Sequence, residues 1–184
     1  MEKTWHSREK AKREVKEIGL WLDTYEDIFS DFDPRPLSVR ALSDDLIGEL
    51  RKACGDTDGS HVKISLLLPA KRRRADQEKI ILERLSGHFH KHYKQSSAEL
   101  RSVWKKGMIY ISLGLVVMLS GGYLTESPSV VQKFLKTLME PAGWFLLWSG
   151  LDHFISLSQG IRKDRKFYEI LTGAKIEFKT ITKS

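Results

Sequence analysis

The longest break in the polar and apolar patterning is residues 107–124, Gly107-Met-Ile-Tyr-Ile-Ser-Leu-Gly-Leu-Val-Val-Met-Leu-Ser-Gly-Gly-Tyr-Leu124, which carry no charged side chain. As a helix this stretch spans about 27 Å at about 1.5 Å per residue, close to the roughly 30 Å hydrocarbon core of a bilayer. A core helix of a small globular protein keeps a polar stripe, and this segment has none. Tyr110 and Tyr123 stand near its ends, where amphipathic rings favour a membrane interface. The pattern predicts a transmembrane helix.

Residues 141–161 predict a second span with a polar interruption at Asp152 and His153. On an insertion scale its Leu, Ile and Phe residues contribute about −0.3 to −0.6 kcal/mol each, and a central Asp costs about +2.5 to +3.5 kcal/mol. The sum is near balance, so this helix is expected to need the first as a partner. Gly114, Gly121 and Gly122 on one helix, with Gly143 and Gly150 on the other, allow close backbone approach. Between the spans, Val130, Val131, Phe134, Leu135 and Leu138 recur at helical spacing and predict an amphipathic helix on the outer surface.

The remaining chain alternates between helical and strand patterns. Residues 4–29 predict a helix with Val15, Ile18, Leu22 and Tyr25 as a narrow apolar face. Pro34 and Pro36 stop it. Residues 37–42 predict an extended segment. Ser43 is placed as an N-cap, with Asp44 and Asp45 at the positive end of a helix that turns Leu46, Ile47, Leu50 and Cys54 inward and ends at Gly55. Residues 56–59 predict a turn. Val62, Ile64, Leu66 and Leu68 share one face of a strand over 61–68 that Pro69 ends. A long helix is expected from about residue 73 into the first span, with Ile80, Ile81, Leu85, Phe89 and Tyr93 as its apolar positions. Helix continues after the second span to Gly173, and 174–181 alternates as a second strand. A lone strand leaves its backbone groups unpaired, so 61–68 and 174–181 are expected to pair with each other.

Composition alone hides this organisation. The chain of 184 residues is 41% hydrophobic and 30% charged, with a net charge of +7. A cationic excess beside apolar spans suits cytoplasmic flanks facing anionic lipid. Arg101, Lys105 and Lys106 precede the first span, and Arg162, Lys163, Arg165 and Lys166 follow the second. The connector holds Lys133 and Lys136, offset by Glu126 and Glu140. This asymmetry predicts that both termini are cytoplasmic. The charged first sixteen residues lack the apolar core of a signal peptide, so insertion is expected through the internal segments. Cys54 is the only cysteine, which rules out an intrachain disulfide and fits a reducing compartment.

Candidate chemistry is sparse. His88 and His92, four apart, share a helix face, but two ligands fall short of the three or four that zinc sites use. A solvated face is the simpler reading, and no metal or other cofactor is expected. Asp152 and His153 are candidates for an intramembrane polar site. The competing reading is a shallow or tilted span that leaves Asp152 at the cytoplasmic interface. Lys71, Arg72, Arg73 and Arg74 form a basic run, which together with Lys105, Lys106, Arg162 and Lys163 suits anionic lipid or phosphate. Nucleic acid is disfavoured, because no aromatic residues interleave with the run and no binding module is evident. Nucleotide-loop, hydrolase-elbow, zinc-protease and paired-cysteine motifs are missing from the sequence, so no enzymatic activity is expected.

Several stretches together resemble a family of uncharacterised bacterial membrane proteins with two spans. They are Phe29-Ser-Asp-Phe-Asp-Pro34 with Arg40-Ala-Leu-Ser43, and Leu66-Leu-Leu-Pro69 leading into a helix with His88-Phe89. The third is Gly143-Trp-Phe-Leu-Leu-Trp148, running through Asp152 to Arg162-Lys-Asp-Arg-Lys-Phe-Tyr168. The chain departs from that pattern at Ser149-Gly150, where bulkier or basic residues are the rule. The resemblance implies an inner-membrane location and no established activity.

The resulting expectation is an α+β, mainly helical chain. It comprises an N-terminal cytoplasmic region (1–106), a transmembrane hairpin (107–161, spans 107–124 and 141–161) and a C-terminal segment (162–184) that packs on the first region around a short two-stranded sheet. The expected role is a membrane-anchored interaction or assembly module, homo-oligomeric and able to engage a cytoplasmic protein. The alternatives are a channel or transporter subunit using Asp152, and membrane-tethered nucleic-acid binding.

Overall fold

The computed structural model describes residues 15–55, 62–123 and 129–181. The chain divides into a sheet unit, Met1–Phe89 with Glu169–Ser184, and a helical unit, His90–Tyr168. Its order is β1 (Lys16–Trp21), α1 (Asp44–Gly55), β2 (Val62–Leu68), α2 (Ala75–Tyr123), α3 (Val130–Asp152), a π-helical turn (His153–Leu157), α4 (Ser158–Gly173) and β3 (Lys175–Thr180). Short 3₁₀ turns occupy Tyr25–Ile28 and Ala70–Arg72.

The sheet has three parallel strands in the order β1-β2-β3. The expected pairing of β2 with the C-terminal strand is present, in the register Ile64 to Ile176 and Leu66 to Phe178. The two-stranded expectation is corrected by β1, which lies where the pattern predicted helix. Ile18, Leu20 and Leu22 also alternate, and in this register Ile18 and Leu20 stand beside Ile64 and Leu66. A 3.6-residue reading and a two-residue reading both fit so short a run. Gly19, a poor helix former, and the unsatisfied edge of β2 decide for strand. The earlier part of the expected helix, 4–14, lies outside the described residues, as do His61 and the expected turn at 56–59. The extended segment expected over 37–42 starts as a turn at 37–39, and within it Leu42 alone bridges to Phe29.

One sheet face supplies Ile18, Val62, Ile64, Leu66, Leu68 and Phe178 to the core, joined by Leu46, Leu50 and Cys54 of α1, Ile81, Leu85 and Phe89 of α2, and Leu171 of α4. Ser43 caps α1 as expected, its Oγ accepting from the Asp45 N–H at 3.2 Å. The opposite face is an ion ladder. Lys63 pairs with Glu177 at 2.8 Å, and Glu17 takes hydrogen bonds from Lys179 and the Ser65 hydroxyl.

These pairs set an acid response. The Lys179 ammonium, then the Ser65 hydroxyl, pull Glu17 from 4.5 to about 2. Arg35, then the Ala41 N–H, hold Asp33 well below the usual carboxylate range. Arg73 lowers Glu78, and Lys63 lowers Glu177. A carboxylate with a depressed folded pKa stabilises the fold fully above its unfolded value and loses that contribution as pH falls through the folded one. The sheet unit is therefore expected to lose thermal stability as pH drops from about 4.5 toward about 2. Asp33→Asn should flatten the decline, and a melting temperature that stays level over this window would contradict the assignment.

In the helical unit, α3, the π turn and α4 follow one another without an intervening loop. The expected amphipathic connector is thus no separate surface helix: Val130 to Leu138 form the first turns of α3, which continues through Pro141. The interior proline removes one N–H donor, and the helix persists. α2 and α3 run antiparallel along a glycine seam. A Cβ added to Gly114 would lie 2.9 Å from the Gly143 oxygen, and one on Gly150 would lie 2.8 Å from the Gly107 oxygen. Paired glycines seven residues apart on each helix keep the two contacts on one face.

Candidate functional site

The outer surface of the seam is apolar. Met108, Ile109, Leu113, Leu115, Val116 and Leu119 on α2 are exposed, as are Trp144, Phe145, Trp148 and Leu151 on α3. In the most apolar stretch of α2 only 11% of residues are buried within the structure, the reverse of a core helix. Among the described residues α2 alone is long and apolar enough to cross a membrane. α3 is interrupted by Lys133, Lys136, Glu140 and Asp152.

At one end of this band cations of α2 and α4 gather around Trp104. Trp104 sits edge-on to Phe154 at 5.1 Å, and the Arg162 guanidinium lies 5.2 Å from the centre of the Trp104 ring. Lys105, Lys106 and Lys163 are exposed. This arrangement combines an aromatic plate, a stacked cation and flexible ammonium groups, the chemistry of a headgroup boundary.

The seam sets the height of the candidate polar pair. A Cβ on Gly107 would meet the Gly150 oxygen, the His153 Cβ and the Phe154 ring at 3.0–3.2 Å. Asp152 and His153 therefore stand abreast of the start of the uncharged stretch, not in its middle. His153 Nδ1 is 2.8 Å from the Ser149 oxygen, and its ring lies 5.3 Å from that of Tyr110. Asp152 is exposed. The π turn begins directly after it, and such turns widen a helix, often at functional positions. Sequence periodicity carries no signal for this turn.

The other candidates separate. His88 meets the Phe89 ring edge-on at 5.9 Å, and His92 stacks on Tyr168 at 5.0 Å. Among the described residues no group of three or more His, Cys, Asp or Glu is placed to hold a metal ion. In the basic run, Arg73 is structural. Its Nε is 2.8 Å from Glu78 Oε1, and its Nη1 donates to Thr180 Oγ1 at 3.0 Å, tying β3 to the start of α2. The Arg74 N–H donates to the Tyr25 hydroxyl at 2.8 Å. Lys71, Arg72 and the Arg74 side chain remain on the surface.

The Phe29-to-Ser43 segment is a clasp. The Ser30 N–H donates to the Ala41 oxygen and the Ser43 N–H to the Ile28 oxygen, while Asp33 accepts from the Ala41 N–H and from Arg35. Arg40 reaches the Ser30 oxygen and pairs with Glu26. Asp33, Arg35, Arg40 and the backbone of Ser30, Ala41 and Ser43 thus have structural partners. Gly150, the departure from the resembled pattern, lets α3 close on Gly107.

Compared with protein-family models, curated proteins and solved structures, the chain matches none.

Proposed function

We propose that the chain is a membrane-anchored interaction or assembly module. In this reading α2 and α3 cross the bacterial inner membrane as a hairpin, both termini lie in the cytoplasm, and the sheet unit engages a protein partner. The observation that carries it is topological. β2 precedes the apolar helix, β3 follows it, and the two strands are hydrogen-bonded neighbours. A chain that crosses once between two paired strands must cross back, and α3 is the return path. α3 need not insert alone, because the glycine seam gives it α2 as a partner. In the bilayer the second span is the part of α3 abreast of the uncharged stretch, centred on residues 139–150. Asp152 and His153 then sit at the cytoplasmic interface. This depth favours anchoring over transport, since two helices closed on glycine enclose no pore.

The outer face of the sheet suits a partner. Parallel sheets are usually covered on both faces, yet here Trp21 is 59% exposed beside the ion ladder. Reporter fusions test the topology. An enzyme active only in the cytoplasm should be active when fused after Ser184, and one inserted between α2 and α3 should report the opposite side. Extraction of the full chain into detergent-free buffer, or an external reporter after Ser184, would overturn the reading.

A further inference from the structure

Below the Trp104 belt the helical unit has a second cationic feature, which the flanking-charge count did not isolate. An open groove of about 580 Å³ lies between α2 and α4, lined by Tyr93, Lys94, Ser97, Leu100, Arg101 and Arg165. Lys94, Ser97 and Arg101 fall three and four residues apart, so α2 presents them along one stripe. Arg165 comes from α4 and stacks over Tyr93 at 5.9 Å. Arg101 is braced by its own helix, Nε donating to the Ser97 oxygen at 3.3 Å. The Ser97 hydroxyl is buried and has no hydrogen-bond partner among the described residues. No acidic side chain lines the groove.

We infer that this groove binds a phosphate group, with Arg101, Arg165 and Lys94 supplying the charge and Ser97 the hydroxyl donor. Cations from two helices converge beside a buried hydroxyl whose hydrogen-bonding capacity is unused, and a tetrahedral oxyanion gives that hydroxyl an acceptor while meeting charge from both helices. Leu100 and the Tyr93 ring give one apolar wall, which suits a ligand carrying hydrocarbon beside its phosphate. Arg101 lies six residues before Gly107, about 9 Å along the helix. If the hairpin is membrane-embedded as proposed above, that is headgroup depth, and the phosphate is that of an anionic phospholipid. The same chemistry accepts free phosphate.

The test uses the full chain in an uncharged detergent, with bound molecules counted by native mass spectrometry. Phosphatidylglycerol, phosphatidylcholine and inorganic phosphate are added separately. The expected result is one retained phosphatidylglycerol per chain, in preference to phosphatidylcholine. Retention should fall about tenfold or more in Arg101→Gln/Arg165→Gln, as expected for losing charge-assisted contacts. Lys91→Gln/Lys166→Gln removes the same charge from the same unit outside the groove and should retain the lipid. Arg101→Lys/Arg165→Lys keeps the charge and should fall between, which separates loss of the site from loss of the fold. Groove-dependent binding of inorganic phosphate without lipid preference supports the site with free phosphate as its source. Equal loss in both Gln pairs, or no groove-dependent binding of either anion, overturns it. The phosphate arm needs no membrane, so failure of the membrane reading is told apart from failure of the groove.

Discussion

Substituting leucine for Gly150 is expected to force α3 away from α2 and to abolish the stable helical pair. A Cβ at Gly150 would stand 2.8 Å from the Gly107 oxygen and 3.0 Å from the Ile111 nitrogen. Both are backbone atoms, so no rotamer change relieves the clash. Alanine alone should cost about 1–3 kcal/mol by overpacking, and leucine more. Gly122 on α2 is the control, because an added Cβ there meets nothing within 4 Å. Gly122→Ala should leave stability unchanged or raise it by up to about 1 kcal/mol through helix propensity. Unfolding in mixed micelles, followed through the α3 residues Trp144 and Trp148, gives the readout. Matching unfolding midpoints for Gly150→Leu and Gly122→Ala would show that the seam does not hold α2 and α3 together, and the proposed return path through α3 would lose its physical basis.

The second large effect belongs to the clasp. Phe29 is 2% exposed and Phe32 is 98% exposed, three residues apart in one motif. Phe29→Ala should destabilise the sheet unit by about 3–5 kcal/mol, the usual range for emptying a buried aromatic site. Phe32→Ala should change stability by no more than about 0.5 kcal/mol. Against a total of about 5–15 kcal/mol for a domain, the first loss is large enough to appear in hydrogen exchange of the β2 and β3 amides. Equal protection in the two variants would place Phe29 outside the core. The contrast also bears on function. If Phe32→Ala leaves the fold intact but removes a partner, the motif serves recognition at Phe32 and architecture at Phe29.

Some of this was legible residue by residue. The uncharged run from Gly107, the alternation of Val62, Ile64, Leu66 and Leu68, and the Ser43 cap each follow from local chemistry, and the structure contains all three elements. The candidate site was legible only as a composition. Arg101, Lys105, Lys106, Arg162 and Arg165 were visible as a cationic flank. That Arg162 covers Trp104 while Arg165 covers Tyr93 requires α4 to lie beside α2. Hydropathy left two positions open for Asp152, within the second span or at its cytoplasmic end. The glycine register sets it beside the start of the uncharged stretch.

What the sequence determined alone is where the apolar runs lie and how long they are: transfer free energy accumulates along a run, so length and charge suffice to read it. The tertiary structure decided which segments meet. β1 is a strand because β2 has an edge to fill, and the glycines of α2 and α3 matter only because each faces another backbone. Pairing depends on partners far apart in the chain, and no local pattern encodes the register between them.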